Sequence, residues 1–334
     1  MRAVSAASGG LVVSLDFELA WGVLDYPGAE GPYKANLLGA REAIPRMLEL
    51  FDRYELAATW ATVGFLFAES REELEHYLPT LRPAYADARY DPYRERVGAD
   101  ERADPTRFAP SLIRLIASAP RQRVGSHTFS HYYCLEQGQD AAAFDADLAA
   151  AAAIARARGI ELRSLVFPRH QVRADYLRLL PKHGLTVYRG NERNAFDRPA
   201  PTPGGSLPLR LLRHADAYLP LTGANAIGWP LVAPRDGLVN VPASRFLRPR
   251  KPRLRALEPL QLRRLTAAME VAARRGALFH LWWHPHNMGV ELAHHLGVLQ
   301  RVLEAYARLR DAHGFASYAM EDVAERSRSP NSRA

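Results

Sequence analysis

Segments with the patterns of strands and helices alternate along most of the chain. An apolar strand over 10–18 is followed by a helix over 37–54 and a second strand over 57–63, and the alternation continues to a last long helix over 291–313. Parallel strands need long crossover connections, which helices usually supply. The alternation therefore predicts an α/β fold built on a parallel sheet or barrel with covering helices.

One domain is the simplest organisation for these 334 residues, since no repeat of fixed period is present. We expect a catalytic domain over 10–325, an N-terminal extension over 1–9 and a disordered tail over 326–334. Within the domain, 79–110 and 191–257 are expected to be loop-rich inserts. The first is rich in Arg, Asp, Tyr and Pro, and inserts of this kind often shape a site.

The sequence shows no apolar stretch as long as a secretory signal or a membrane span requires. The apolar run over 11–15 is cut by Asp16 and Glu18. The single cysteine, Cys134, excludes an intramolecular disulfide and is typical of a reducing compartment. We therefore expect a cytoplasmic protein without a transmembrane segment.

The net charge of +8 comes almost entirely from arginine, most densely over 245–255. Such a run beside a substrate cleft could bind the phosphates of a nucleotide-linked or lipid-linked sugar, or an anionic membrane. A solvated loop is an equally good interpretation. Nucleic-acid binding is not expected, because the run lies in no recognisable binding module.

Two acidic residues end the first strand. Side chains two apart in extended backbone share a face, so Asp16 and Glu18 should project to the same side. Carboxylates this close repel each other unless a divalent cation or a guanidinium relieves the repulsion. One could then bind a metal while the other acts as a base. Alone the pattern is weak, because a solvated carboxylate beside a turn-capping one is the commoner explanation of it.

Two histidines, His127 and His131, follow the end of a later predicted strand. On a helical turn, side chains at i and i+4 face the same way and can chelate one ion, leaving positions for a carboxylate and water. The pair would emerge at the same edge of the sheet as the two acids. A His-x-x-x-His pair alone indicates a metal in a minority of cases, but beside an acidic strand end the combination predicts a metal site.

A third motif, HLWWHPHN over 280–287, ends another predicted strand. Strand alternation places His280 and His284 on one face, with His284 at the point where the chain turns at Pro285. A histidine there can donate a proton to a leaving group, which makes His284 the candidate acid. His280 is better explained as a core histidine bonded to the backbone.

In this order the motifs resemble the polysaccharide deacetylase superfamily (NodB homology, carbohydrate esterase family four). The resemblance covers about residues 10–320, and its strongest pieces are SLDFELAWG over 14–22, GSHTFSH over 125–131, VFPR over 166–169 and the late His284. It implies a distorted (β/α) barrel of about seven strands in a single domain. It also implies a divalent metal held by one carboxylate and two histidines.

The family's first motif usually carries adjacent aspartates, a base followed by a ligand. Here Phe17 separates the two acids. By resemblance we assign Asp16 as the base and Glu18 as a metal ligand together with His127 and His131. A bulge in the strand would exchange the roles of Asp16 and Glu18.

Arg169 lies in a segment similar to the family motif whose arginine orients the base. By resemblance it is the candidate for that role, and a surface charge after a proline turn is the alternative. The family's Asp-Trp motif has no secure counterpart within 191–257.

The function implied is metal-dependent hydrolysis of an N-acyl amide, first of all N-deacetylation of an acetamido sugar or sugar conjugate in cell-surface polysaccharide biosynthesis. Asp16 would take a proton from the attacking water, and His284 would protonate the departing amine. Zn is the expected metal, and Co, Ni, Mn or Fe also fit these donors. Two alternatives remain, an amidohydrolase for a small non-sugar amide, imide or formamide, and a non-catalytic glycan-binding relative.

Overall fold

The computed structural model describes residues 8–25, 31–194, 201 and 207–328. One curled sheet runs through this part of the chain. Its strands are β1 Gly10–Phe17, β2 Ala58–Thr62, β3 Gln122–Ser126, β4 Ser164–Val166, β5 Val187–Arg189, β6 Val239–Asn240, β7 Arg245–Phe246, β8 Leu278–Trp283 and β9 Ala316–Tyr318.

The strands follow the order β6-β5-β4-β3-β2-β1-β8-β7, with β9 also pairing β1, and their pairs are parallel. The two outermost strands, β6 and β7, are neighbours in the sequence, so the sheet curls back toward itself as an open barrel. The predicted single-domain α/β fold with a distorted (β/α) barrel is confirmed.

Helices cover the sheet and connect its strands. They are α1 Lys34–Arg53, α2 Arg71–Tyr77, α3 Pro110–Ser118, α4 Ala141–Ala157, α5 Leu207–Asp216, α6 Glu258–Arg274, α7 Leu292–His313 and α8 Met320–Arg328. Within the described ranges, none of the helices has the length and apolar character to cross a membrane.

The central strand, β1, is buried along its whole length. It has neighbours on both sides, β2 and β8, and helices pack over the sheet, which explains why its sequence is almost continuously apolar. Leu11, Val13 and Leu15 belong to the main hydrophobic core, whereas Val12 packs in a smaller cluster of valines and aromatic residues. The same alternation places Ser14 and Asp16 on the face of Val12, where the strand ends at the rim of the barrel.

The expectation of irregular loops over 191–257 is wrong in part. This range contains α5 and the two edge strands β6 and β7. Each of these strands has only two residues, too few to show a period-2 pattern.

The predicted disordered tail over 326–334 is also wrong in part, because α8 extends to Arg328. Residues 329–334, like residues 1–7 of the predicted extension, lie outside the described residues. The domain boundary at 10 stays a prediction.

Helix α1 approaches the turn after β8 so closely that no side chain fits between them. A Cβ at Gly39 would lie 1.8 Å from the carbonyl oxygen of Gly289, and a Cβ at Gly289 would lie 2.1 Å from that of Asn36. This turn begins at His284, the candidate acid. The contact therefore constrains the position of the turn that His284 begins.

Replacing Gly39 with alanine should destabilise the protein by about 1–3 kcal/mol, because the added methyl group overlaps backbone atoms that cannot rotate away. Urea unfolding would measure the change. Gly297→Ala in α7 is the matched control: its Cβ would meet only the guanidinium of Arg301 at 3.9 Å, so helix propensity should stabilise it by about 0.5–1 kcal/mol. Stabilisation by both substitutions would contradict the close approach.

Candidate metal centre and active site

Glu18, His127 and His131 form one buried cluster, with relative exposures of 4%, 1% and 2%. Oε2 of Glu18 lies 3.1 Å from Nε2 of His127 and 3.0 Å from Nε2 of His131. One ligand atom from each residue can be chosen so that all lie within 4.8 Å of one another. The structure therefore brings together the three residues predicted as metal ligands in an arrangement that could bind a divalent metal.

A backbone hydrogen bond determines the tautomer of His127. Its Nδ1 lies 2.8 Å from the carbonyl oxygen of Val166, which can only accept, so Nδ1 carries the hydrogen. Neutral His127 then directs the Nε2 lone pair at the carboxylate of Glu18. Two acceptors at this distance repel unless a proton or a cation lies between them, and a backbone carbonyl behind the ring is typical of metal-binding histidines. These residues fit a divalent metal.

The electrostatics of the cluster agree with this fit. Burial alone would raise the pKa of Glu18, but the favourable electrostatic interactions with His284, His127 and His131 hold it well below its usual value. Burial lowers the pKa of His131 to about 4, even though Glu18 favours its protonated form. At neutral pH an ionised carboxylate thus faces a neutral imidazole, the states that metal binding requires.

The two histidines do not lie on a helical turn, which corrects the geometry expected from their spacing. His127 directly follows β3, and the chain from there to His131 is irregular. Thr128 and His131 adopt left-handed backbone angles, with φ of +64° and +58°. The irregular turn, and not an i to i+4 helical register, brings the two rings together at 5.0 Å between centroids.

Asp147, on α4, holds this turn in place. Its buried carboxylate accepts the backbone N–H groups of Phe129 at 2.6 Å and Ser130 at 3.1 Å, and also the hydroxyl of Ser130. Because both N–H groups lie between the two histidines, the carboxylate ties the ligand-bearing turn to a rigid helix. The only sequence signal for this residue is an acid within an alanine-rich helix, and the sequence reasoning missed it.

Asp16 lies next to the cluster and has its own partner, Arg189. Nη1 and Nη2 of Arg189 donate to Oδ1 and Oδ2 of Asp16, both at 2.7 Å. Arg189 is 1% exposed and its guanidinium lies 4.5 Å from the ring centroid of Trp282. Burial alone would raise the pKa of Asp16, but the charges of Arg189 and His127 and the bonds to Arg189 lower it to about 2.

The prediction that Arg169 orients Asp16 is wrong. The guanidinium of Arg169 pairs instead with Asp25 and lies 4.8 Å from the ring centroid of Tyr133. Arg169 lies in a left-handed turn beyond the end of β4, whereas Arg189 is the last residue of β5 and reaches Asp16 from within the sheet. An arginine at the end of an otherwise apolar strand was the available signal for Arg189.

His280 supports the Arg189–Asp16 pair through Ser14. Nδ1 of His280 lies 3.0 Å from the carbonyl oxygen of Pro242, so it carries the hydrogen and leaves Nε2 to accept from the Ser14 hydroxyl at 2.8 Å. The Ser14 oxygen in turn accepts from Nη1 of Arg189 at 2.9 Å. The interpretation of His280 as a core histidine bonded to the backbone agrees with this geometry.

His284 faces both carboxylates. Its Nε2 lies 3.5 Å from Oε1 of Glu18 and 3.9 Å from Oδ2 of Asp16, and its side chain is 23% exposed. Nδ1 lies 3.2 Å from Nδ2 of Asn287, whose Oδ1 accepts from the hydroxyl of Tyr33 at 2.8 Å. Because an amide nitrogen only donates, Nδ1 accepts and the ring hydrogen of neutral His284 is on Nε2, facing the carboxylates.

These residues share an open cavity of about 440 Å³. Asp16, Glu18, His131 and His284 line its base. Its remaining walls include Arg169, His170, Phe246, Arg248, Lys251 and Trp282.

The predicted excursion over 79–110 packs against the centre through tyrosines. Tyr85 and Tyr90 form a buried cluster with Tyr133, whose backbone N–H donates to the Tyr85 hydroxyl at 2.8 Å. The Tyr133 ring meets the ring of His131 edge-on, with 5.0 Å between centroids. The insert thus supports the side of the cluster that carries His131.

No protein-family model matches this sequence, and no curated protein matches it. Solved structures do match. A Mycobacterium smegmatis protein described as a polysaccharide deacetylase aligns with a TM-score of 0.61 at 15% identity, over 97% of this chain and 91% of its own. Puue allantoinase aligns with a TM-score of 0.56 at 13% identity, over 100% and 94%.

A Pseudomonas aeruginosa protein, also described as a polysaccharide deacetylase, aligns with a TM-score of 0.52 at 13% identity, over 95% of this chain and 89% of its own. This chain has the fold that these proteins share. The structural likeness expected from the motifs is therefore confirmed across the chain, at the level of the fold.

Asp147→Ala should weaken the binding of an added divalent metal by roughly 10–100-fold, because the turn between the two histidines loses the acceptor for its N–H groups. Asp147→Asn retains one acceptor oxygen and should lose less. Competition with a chromogenic chelator would measure the affinity. Asp145→Ala is the control on the same helix, since Asp145 contacts Lys182 and His183 away from the turn. Equal affinities for Asp147→Ala and Asp145→Ala would refute the positioning role.

Arg189→Met should lower the free energy of unfolding by about 3–5 kcal/mol, because it leaves the carboxylate of Asp16 buried without a partner. Arg169→Met should cost less, since the Arg169 side chain is 22% exposed and its partner Asp25 is 18% exposed. Chemical denaturation of the two variants gives the comparison. A larger loss for Arg169→Met would reverse the assignment of the orienting arginine.

Proposed function

We propose that this chain is a metal-dependent hydrolase of an N-acyl amide. The proposed substrate is an acetamido sugar, or a conjugate of one, used in cell-surface polysaccharide biosynthesis. One observation carries the proposal: a possible metal cluster of Glu18, His127 and His131 adjoins the Arg189-paired Asp16 and His284, and one open cavity is lined by Asp16, Glu18, His131 and His284 together. The fold shared with polysaccharide deacetylases supports the same class of reaction.

In this proposal Glu18, His127 and His131 hold the metal. Zn²⁺ is the proposed ion, and Co, Ni, Mn or Fe would suit the same carboxylate and imidazole donors. When bound, such an ion lowers the pKa of water and polarises an amide carbonyl.

Asp16 acts as the base that takes a proton from the attacking water. It is ionised, and both of its oxygens are held by Arg189, so the carboxylate keeps one orientation without needing a further contact. The same pairing lowers the pKa of Asp16, so the carboxylate is a weaker base but stays charged throughout the neutral range.

His284 acts as the acid that protonates the departing amine. Its Nε2 lies beside both carboxylates and its side chain is partly exposed to the cavity. As the carbon–nitrogen bond breaks, the nitrogen takes a proton from Nε2 of His284 in its imidazolium form and leaves as a free amine, while water supplies the hydroxyl of the carboxylic acid. The proton that Asp16 took from the water then restores the imidazolium. For an acetamido sugar the products are acetate and an amino sugar.

A second candidate function is hydrolysis of a small non-sugar amide, imide or formamide by the same residues. The full-length likeness to Puue allantoinase favours it. A third, a non-catalytic glycan-binding protein, is disfavoured because the candidate base, acid and ligand set are all present. A cytoplasmic location and a phosphate-bearing carrier on the substrate stay predictions from the sequence.

His127→Ala should abolish stoichiometric metal binding and hydrolysis without unfolding the protein, because it removes one ligand at the rim of the barrel. Metal analysis of protein purified without added metal, with circular dichroism as the fold check, would measure this. His76→Ala, at an exposed position of α2, is the control and should retain the metal. Full metal content in folded His127→Ala would overturn the ligand assignment.

Measuring the acetate, formate and amine released from a panel of substrates distinguishes the two candidate catalytic functions. The panel should contain N-acetylglucosamine, its oligomers, a cyclic imide and a formamide. We expect turnover of the acetamido sugars, and turnover of the cyclic imide or formamide alone would favour the second candidate.

A further inference from the structure

Another cavity lies next to the catalytic one, between strands β7 and β8 and helices α6 and α7. This side cavity has a volume of about 180 Å³ and is more enclosed than the catalytic cavity. No side chain of the described residues fills it. Because protein interiors leave few voids larger than a water molecule, a space of this size is suited to a ligand.

Apolar side chains from both helices and from the sheet form much of the surface of the side cavity. They include Leu247, Leu262, Leu265, Trp283 and Val298. Leu262 and Leu265 are three residues apart in the sequence, so they lie on one face of α6. An engineered cavity of about 150 Å³ with walls of this kind binds benzene, and the side cavity therefore has room for about six carbon atoms.

Charged side chains also line the side cavity, and the following ones have partners. Asp216 pairs with Arg245 at 2.8 Å and with Arg264 at 2.9 Å. The carboxylate of Glu258 lies 2.7 Å from Nε2 of His294. Because these acids are already engaged, the apolar walls determine what the side cavity accepts, and they favour an uncharged group.

The side cavity adjoins the catalytic cavity through a shared wall. Phe246, Pro249, Trp282 and Asn287 line both cavities. Nδ2 of Asn287 lies 3.2 Å from Nδ1 of His284, so this wall is next to the candidate acid. A substrate whose amide lies at the base of the catalytic cavity can therefore extend a chain toward the side cavity.

We propose that the side cavity binds an alkyl chain of the substrate, about six carbon atoms long. The inference rests on the proposed function for the reacting amide, and it narrows the substrate class to amides that carry such a chain. The chain could be the acyl group itself or an alkyl group on the sugar. Both have the same apolar chemistry, and substrates of each kind distinguish them.

The first test compares three substrates on the metal-loaded enzyme: N-acetylglucosamine, N-hexanoylglucosamine and the hexyl glycoside of N-acetylglucosamine. Burying one methylene strengthens binding about fourfold. One of the two chain-bearing substrates should therefore exceed N-acetylglucosamine in kcat/KM by roughly 100-fold, and the better of the two identifies where the chain is attached. Equal or lower kcat/KM for both chain-bearing substrates would overturn the proposal.

Leu262→Trp fills the side cavity and should lower kcat/KM for the preferred chain-bearing substrate about tenfold, while N-acetylglucosamine stays within about twofold. Leu296→Trp is the matched control, because Leu296 is also a partly buried leucine packed against the main core but is not among the residues that line the side cavity. Circular dichroism checks that both variants fold, and Val298→Phe is the second filling variant. Equal losses in the filling and control variants would reject the side cavity as the site of the chain.

Calorimetric binding of 1-hexanol separates the side cavity from the reaction. The unmodified enzyme should bind it, and Leu262→Trp should bind it about tenfold more weakly than Leu296→Trp. This result would support the side cavity even if no acetamido sugar is hydrolysed, in which case the proposed function alone fails. Hydrolysis of N-acetylglucosamine without binding of 1-hexanol would retain the function and reject the inference.

Discussion

The burial of two carboxylates at the end of one central strand determines how the rest of the site is built. Asp16 and Glu18 are 3% and 4% exposed, and a buried charge without a partner costs several kcal/mol. Each acid therefore has its own counter-group from a different part of the barrel. Arg189 reaches Asp16 from β5, and two histidines reach Glu18 from the turn after β3, where a metal ion can be held. The parallel sheet allows this arrangement because the carboxyl ends of its strands meet at one rim.

The ligands at this rim depend on irregular backbone that distant residues hold in place. The turn that carries His131 includes left-handed residues, and Asp147 bonds it to α4. The carboxylate of Glu18 packs directly against the backbone of Gly22. A Cβ at position 22 would lie 2.0 Å from its Oε1, so any larger residue there would displace the carboxylate. The orientation of the donor atoms thus comes from contacts outside the motifs. A donor set of the right composition would bind a metal poorly if these supports were lost.

The fold leaves the choice of substrate open. Proteins described as polysaccharide deacetylases and an allantoinase share it over nearly their full lengths. Reaction chemistry follows from the groups at the base of the cavity, whereas selection among amides depends on its walls. Here the walls combine the aromatic rings of Phe246 and Trp282 with the cations of Arg248 and Lys251.

Local patterns in the sequence were sufficient to predict an α/β fold on a parallel sheet or barrel, the strand-end positions of Asp16 and Glu18, and the grouping of these acids with His127 and His131. The distorted barrel itself was implied by the family resemblance. Strand alternation and motif spacing are local properties, and parallel strands bring their ends together whatever the details of the loops. The residue that pairs with Asp16 could not be predicted from local patterns in the sequence. Arg169 and Arg189 both lie at or near the end of a strand, and only the packed sheet showed that Arg189 reaches the carboxylate while Arg169 turns toward Asp25. The edge strands and the left-handed turn between the histidines were likewise decided in three dimensions, because their conformations depend on hydrogen bonds to residues far away in the sequence.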